Sequence, residues 1–439
     1  MRRICLTLPT DRPCATTISA VYEEAAYAVT HFDVEVRLLI LDSCAAPAVA
    51  EHARVVAGLP AAPGVVVHHL DEAAQRDFLR RAVDRSGAAK PELILDLMLP
   101  DGLSYGACTN RAFLIAAALG CESVHRRDSD SRYQHVDGLP VFPIHHELMS
   151  LGKRAGDAAA GVTENALAAE HADKTVTMVG ASFIGEMSVD IEEMYRLDRD
   201  AYYDVVGLWA PVHWSAEKKR ELVDESFRGA GSEPFAGDRS TLTLVDPMRV
   251  DMCNIAFHGV HERVPLMPAR DTIGSDYFLI HLVPDSTLPG VLHNRHIVNY
   301  YTGERRTDAG FLAYQLRFVK FFLSMLYLNF VYDRMTAAGA ALLDGQDRVR
   351  VPAIVELLRE SASLDRTENE ERLDIIDRSY RTLGGRYAEF ADLLAGRRER
   401  LLDEARGDIE DYALLTEVWS ALIGACRSMG AGEFQRLPG

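Results

Sequence analysis

The sequence predicts an α/β fold: a mostly parallel, doubly wound sheet with flanking helices, followed by an all-helical C-terminal extension. Three observations carry that prediction. Over the first third, short β-branched runs alternate with amphipathic stretches of a dozen residues or more, the pattern of strand–helix–strand units. From about residue 307 the strand signals stop and apolar residues recur at helical spacing. The residues that close the early strands are polar, as expected where an open parallel sheet turns its carboxyl edge toward a ligand.

Taken in order, Ile4–Leu8 reads as a strand, Ala15–Thr30 as a helix, Val34–Leu41 as a strand ending at Asp42, and Ala45–Gly58 as a helix. Val65–Leu70 is again a strand, Glu72–Val83 a helix, and Leu93–Leu97 a strand. The helix Tyr105–Leu119 and the strand Ser123–Arg127 complete the set. The middle is mixed, with strand candidates at Val141–Ile144, Thr175–Val179, Phe183–Ile184 and Thr241–Val245. Helices are expected at Gly310–Met335, Val351–Ser361, Glu370–Arg381, Tyr387–Ala405 and Tyr412–Arg427. At 439 residues the chain can hold more than one domain, and we divide it into residues 1–306 and the helical residues 307–439. The long apolar faces of that extension need burial, against the sheet or against a second copy of the chain as a homo-oligomer.

Composition narrows the functional classes. A formal net charge of −18 argues against nucleic-acid binding, which needs a basic footprint. An anionic nucleotide remains open, because local arginines and a metal ion can hold one. The seven cysteines are scattered, odd in number and without a CxxC pair, which reads as reduced thiols. The apolar run after Met1-Arg2-Arg3 is too short for a signal-peptide core, so the expected location is cytoplasmic. Phe321–Tyr332 carries no charge, yet a spanning helix needs about twenty apolar residues. We therefore read it as a core helix and expect no transmembrane segment.

The most informative stretch is His125-Arg126-Arg127-Asp128-Ser129-Asp130. It closes a strand with Asp-x-Asp, directly after an apolar helix. Paired carboxylates there suit a hard cation, Mn²⁺ or Mg²⁺, that neutralises the charge of a departing diphosphate. Strand alternation allows at most one of Arg126 and Arg127 to face such a ligand.

The stretch Asn110-Arg111-Ala112-Phe113-Leu114-Ile115-Ala116-Ala117-Ala118-Leu119-Gly120, followed by that strand end, resembles the GT-A-fold glycosyltransferases that use nucleotide sugars, the family-2-like superfamily. Their helix commonly reads A-R-N-x-G-I-x-x-A-x-G. Arg111, Ile115, Ala118 and Gly120 match, while Ala112 and Leu114 replace the usual Asn and Gly. Leu6-Thr7-Leu8-Pro9-Thr10-Asp11-Arg12-Pro13 is similar to their first strand end, often T-I-P-T-x-x-R-P. Asp42 falls where the second strand supplies an acid to the nucleoside. Cys253-Asn254-Ile255-Ala256-Phe257-His258 resembles the acceptor-side segment, and Gly274-Ser275-Asp276-Tyr277 falls where many members carry G-E-D. Leu292-His293-Asn294-Arg295-His296 sits where some place a metal-binding histidine.

The resemblance implies a GT-A, Rossmann-like catalytic domain over residues 1–306, with a nucleotide-sugar half to about 135 and an acceptor half beyond it. Pro9, Thr10, Asp11, Arg12, Asp42, Arg111 and Asp128 would hold the donor. Asp128, Asp130 and His293, or His296 in its place, would hold Mn²⁺ or Mg²⁺. Asp276 would be the catalytic base, or else an acceptor-positioning or helix-capping acid. The implied activity is metal-dependent transfer from a nucleoside diphosphate sugar to a soluble small molecule. With 41 Arg against 6 Lys pointing to GC-rich coding, analogy adds the tailoring of secondary metabolites such as antibiotics. A sugar-nucleotide nucleotidyltransferase is the alternative, disfavoured because Pro9-Thr10-Asp11-Arg12-Pro13 lacks a phosphate-loop glycine. A non-catalytic carbohydrate- or nucleotide-binding protein with a degenerate fold is the other.

Overall fold

A computed structural model describes residues 1–186, 191–300 and 307–434. The expected domain junction at residue 306 and the last five residues lie outside the described residues. The first four strands are β1 (Arg2–Thr10), β2 (Val34–Asp42), β3 (Val65–Leu70) and β4 (Ser123–Arg127). Short strands follow: β5 (Ser131–Arg132), β6 (His135–Val136), β7 (Leu139–Pro140) and β8 (Glu164–Asn165). The second half adds β9 (Met178–Gly180), β10 (Phe183–Gly185), β11 (Ser240–Thr243), β12 (Asn254–His258), β13 (Gly290–His293) and β14 (Ile297–Asn299).

The main sheet runs β3-β2-β1-β4-β12-β9-β13-β11-β8. Its first four strands are mutually parallel, and β12 is antiparallel to β4 and β9 on either side of it. The register Thr10↔Asp42 brings the ends of β1 and β2 level, beside the end of β4. The expected carboxyl edge therefore exists, and the helix Tyr105–Ala118 starts there. Ser104 caps it by accepting from the Ala107 amide at 3.2 Å.

That helix is buried on nearly every face because it lies between the sheet and the helix Arg398–Phe434. One glycine sets how closely its first turn approaches its neighbours. A Cβ on Gly106 would lie 1.9 Å from the Met267 carbonyl oxygen, so no other residue fits against the loop leading to Asp276. Asn110 locks the same contact, donating to the Leu266 carbonyl at 2.8 Å and accepting from the Leu266 amide at 2.7 Å.

Two expected strands are absent. Residues 93–97 belong to the helix Pro91–Met98, where Pro91 opens the first turn and Ile94, Leu95, Leu97 and Met98 are buried. Val141 and Phe142 pack in the core without joining a strand, and Ile144 opens the helix Ile144–Ser150. In both places a short apolar run fits helix and strand templates equally well. The C-terminal helices are Asp308–Ala338, Val351–Ala362, Thr367–Leu383, Gly385–Ala395 and Arg398–Phe434, the last broken by a kink at Gly430. The expected helix over 387–405 is thus two helices, the second running on through the region assigned separately to Tyr412–Arg427.

The helix Asp308–Ala338 belongs to a stretch long and apolar enough to cross a membrane, but 78% of the relevant window is buried inside the protein. Residues 318–328 are buried on all sides, which is what a helix apolar all round needs. The helix Arg398–Phe434 adds two polar ties to the sheet side. The Trp419 indole donates to the His261 carbonyl at 2.9 Å, and the Tyr412 hydroxyl donates to the Pro265 carbonyl at 3.0 Å.

Candidate functional site

The carboxyl edge of β1 and β4 opens into two adjoining chambers that share Tyr105, Arg126, Asp128 and Asp130. The first is lined by Pro9, Thr10, Asp11 and Arg12 from the end of β1, by Arg111, and by the segment 99–105. The second lies between the loops carrying Asp251 and Asp276 and the helix Asp308–Ala338. Asp128 and Asp130 stand on the boundary.

The backbone holds these acids in place. The Thr17 hydroxyl donates to the Ser129 carbonyl at 3.0 Å, and the Ser131 amide and hydroxyl both donate to the Asp128 carbonyl. Arg12 reaches across from β1 to pair with Asp130 at 2.8 Å. Arg126 pairs with Asp128 at 3.0 Å and with Asp276 on the other side. Arg127 points the opposite way, as strand alternation requires. It makes a bidentate pair with Glu24 at 2.8 and 2.9 Å and a further contact to Glu147 at 3.0 Å. His125 and Tyr133 complete that buried network through Glu147 and Glu24. Arg126 thus belongs to the crevice and Arg127 to the core.

Electrostatics decide what suits this edge. Beside the Asp pair, the first chamber carries Asp11, Glu72 and Asp101 against Arg12, Arg111 and Arg126. The second adds Glu225, Asp251 and Asp276 without a further arginine or lysine among the described residues. Carboxylates therefore outnumber guanidiniums. Burial, opposed by Arg126 and then reinforced by Asp130, Asp251 and Asp276, pushes the Asp128 carboxyl up to about 6. A diphosphate would be repelled here unless a cation came with it. Oxygen donors crowded to the point of mutual repulsion fit a hard divalent cation, which Asp128 and Asp130 would hold.

Two expected residues fall elsewhere. Asp42 is fully buried and does not line the chamber, although Leu41 and Ser43 do. Its carboxylate accepts from the Cys44 amide at 3.0 Å and meets His52 and His69, each at 2.8 Å. Burial works to raise this carboxyl, but hydrogen bonds from His69, Cys44 and His52 prevail and hold it well below the ordinary range. It has no face left for a nucleoside. His293 is likewise only 2% exposed, stacked on His146 with ring centroids 5.3 Å apart, and lines neither chamber. Its Nδ1 accepts from the Arg295 amide at 3.2 Å, and burial, then His146, depresses its basicity. It does not join Asp128 and Asp130. His296 does not either, since its ring accepts from the Ser182 amide at 3.2 Å.

Asp42, His52 and His69 bring their ligand atoms within 4.8 Å of one another, close enough for a metal ion. The hydrogen bonding argues against one. The Cys14 amide donates to His52 Nε2 at 2.9 Å, so the ring proton sits on Nδ1 and points at Asp42. The nitrogen facing the cluster is a donor and has no lone pair for a metal. We read the cluster as a hydrogen-bonded knot tying β2 and β3 to the helix Ala46–Ala57.

Of the remaining expected residues, Pro9, Thr10, Asp11, Arg12, Arg111, Asp128 and Asp130 meet in the first chamber, and Asp276 lines the second. Arg111 is nearly spent, donating to Gln75 and to the Met98 carbonyl, both at 2.8 Å. Ser275, standing where many relatives of the resembled family carry Glu, accepts from the Gly106 amide at 3.3 Å. Sequence reasoning missed Tyr105, Asp251 and Tyr277, and the aromatic wall supplied by the C-terminal extension. Tyr277 falls in the Gly274-Ser275-Asp276-Tyr277 segment, whereas the others sit in no motif.

A family model described as a family of unknown function, DUF6271, matches residues 2–435. The chain belongs to DUF6271. No curated protein matches it in sequence. Among solved structures 19 chains match, one of them a mannosyltransferase from Pyrobaculum calidifontis in complex with GDP-mannose and Mn²⁺. That pairing has 13% identity and a TM-score of 0.34, over 99% of this chain and 88% of the other. The DUF6271 match takes in the sheet and nearly all of the helical extension.

Proposed function

We propose that this protein is a metal-dependent glycosyltransferase of GT-A type. It would bind a nucleoside diphosphate sugar in the first chamber and a small-molecule acceptor in the second. The observation that carries this reading is the position of Asp128 and Asp130, at the end of β4 and on the wall between the two chambers. A sugar lying across that wall would have its diphosphate at the acids and its anomeric carbon toward the acceptor. A cation held by Asp128 and Asp130 would supply charge neutralisation for the leaving diphosphate.

The chain's own residues have distinct parts in this reading. Arg12 and Arg126 orient the two acids. The segment Pro9–Arg12 forms the nucleotide side, and Tyr105 stands between the chambers. Asp276 lies across Arg126 from Asp128, on the acceptor side, and is the carboxylate we place against the acceptor's proton.

Thermal-shift titration with UDP, GDP, ADP, CDP and TDP, each with and without MnCl₂, tests the donor half. At least one nucleotide is expected to stabilise the protein only with Mn²⁺, and Asp130→Ala should remove that shift while leaving the unliganded melting temperature nearly unchanged. If no nucleotide shifts the wild type, or Asp130→Ala retains the full shift, the reading fails.

A further inference from the structure

We propose that the second chamber recognises a protonated amine carried on an apolar or aromatic body. This names the acceptor class of the transfer proposed above and rests on that reading of the crevice. The chamber is walled by rings from distant parts of the chain: Trp209, Phe227, Tyr277, and Tyr314, Phe321 and Tyr332 of the helix Asp308–Ala338. Trp209 packs against Phe227 and Phe321 with centroids 5.3 and 5.6 Å apart, so part of this wall is continuous aromatic surface. The cavity volume is about 180 Å³, room for more than an ammonium group.

Acids outnumber bases in the polar part of the chamber, and Glu225 also pairs with Arg249 outside the lining at 3.7 Å. Asp251, Asp276 and Glu225 face it, with Asp128 and Asp130 at the shared mouth. Among the described lining residues the cation is Arg126, already paired with both Asp128 and Asp276. Asp251 is rigidly placed: it accepts from the Cys253 amide at 3.0 Å and from the Tyr277 hydroxyl, which sets the acid at the hydroxyl end of that ring. A fixed carboxylate attracts an ammonium by direct charge pairing, and the faces of the walling rings attract it through their quadrupoles. A neutral acceptor of the same shape gains neither, and a carboxylate is repelled.

Calorimetry on the full-length protein with benzylamine, benzyl alcohol and benzoate tests this, the three differing in charge at nearly constant shape. Benzylamine should bind about tenfold tighter than benzyl alcohol, the scale of one charge-assisted contact, and benzoate most weakly. Asp251→Asn, and Glu225→Gln as a second isosteric variant, should each weaken benzylamine several-fold and leave benzyl alcohol unchanged. Tyr332→Leu should weaken both. Undetectable benzylamine binding, equal affinity for the three, or indifference to both acid variants overturns the proposal. UDP and GDP with MnCl₂ are titrated in parallel. Nucleotide binding without amine preference sinks the acceptor assignment alone, whereas amine preference without nucleotide binding supports the amine site and counts against the transferase reading.

Discussion

Asp42 and Asp130 are both acids at the carboxyl edge, and their surroundings give them opposite duties. Asp130 opens on both chambers with Arg12 as its partner, while Asp42 is sealed beneath two imidazoles and a backbone amide. Removing the charge of Asp42 leaves buried donors without their acceptor, a loss of about 1–3 kcal/mol. Asp42→Asn is therefore expected to lower the urea midpoint while keeping the Mn²⁺-dependent nucleotide shift of the wild type. A normal midpoint with a lost shift would return Asp42 to the nucleotide site.

Among the elements, the helix Tyr105–Ala118 does most to position the site, because its first turn touches both chambers and the loop that carries Asp276. Gly106 makes that approach possible. The backbone carbonyl of Met267 faces it and has no flexible end to move aside. Gly106→Ala is expected to cost about 3 kcal/mol through overpacking, read as a drop in melting temperature. It should also displace Ser275 and Asp276, since Ser275 accepts from the Gly106 amide. An alanine variant with wild-type stability would show that this loop moves freely.

At the scale of the molecule, one hydrophobic core runs from Phe78 and Phe113 beside the sheet to Phe322, Tyr412 and Trp419 in the extension. A fragment ending at residue 306 would expose that surface, along with the orphaned carbonyls of His261 and Pro265. It is expected to be insoluble or molten, and a soluble fragment with native-like near-UV circular dichroism would refute this.

The same core makes stability depend on pH. His261 is buried beside Phe113, and burial first, then the proximity of His258, Arg427 and His125, lowers its pKa from 6.5 to about 3. The unfolded chain takes up that proton near 6.5 and the folded chain only near 3, so the unfolded state binds more protons across this window. Stability is thus present above about 6.5 and falls with decreasing pH by roughly 1.4 kcal/mol per unit from this residue. His281, His68 and His145, each lowered to about 4 by burial first, add in the same direction. Urea unfolding between pH 7 and 5 should show a shallower slope for His261→Gln than for wild type, and parallel slopes would contradict the assignment.

The linear chain alone specifies the alternation of strands and helices, the acidic balance, and the position of Asp128 and Asp130 at a strand end. Each follows from local periodicity or composition, which operate over a few residues. It also settled that Arg126 and Arg127 must part company, because successive strand side chains face opposite ways. Its two misread strands, over 93–97 and 141–144, were short apolar runs whose geometry depends on neighbours rather than on spacing.

The remaining features come from packing between elements. Asp42 is closed off from the first chamber because His52 and His69, from other elements, close over it. His293 lies outside both chambers, where the helix Ile144–Ser150 brings His146 against its ring. The aromatic wall of the second chamber comes from Trp209, Tyr277 and Tyr332, whose convergence no motif records. Contacts between side chains on separate elements form only when those elements pack. Packing, not local pattern, chose which acids stayed open to a ligand.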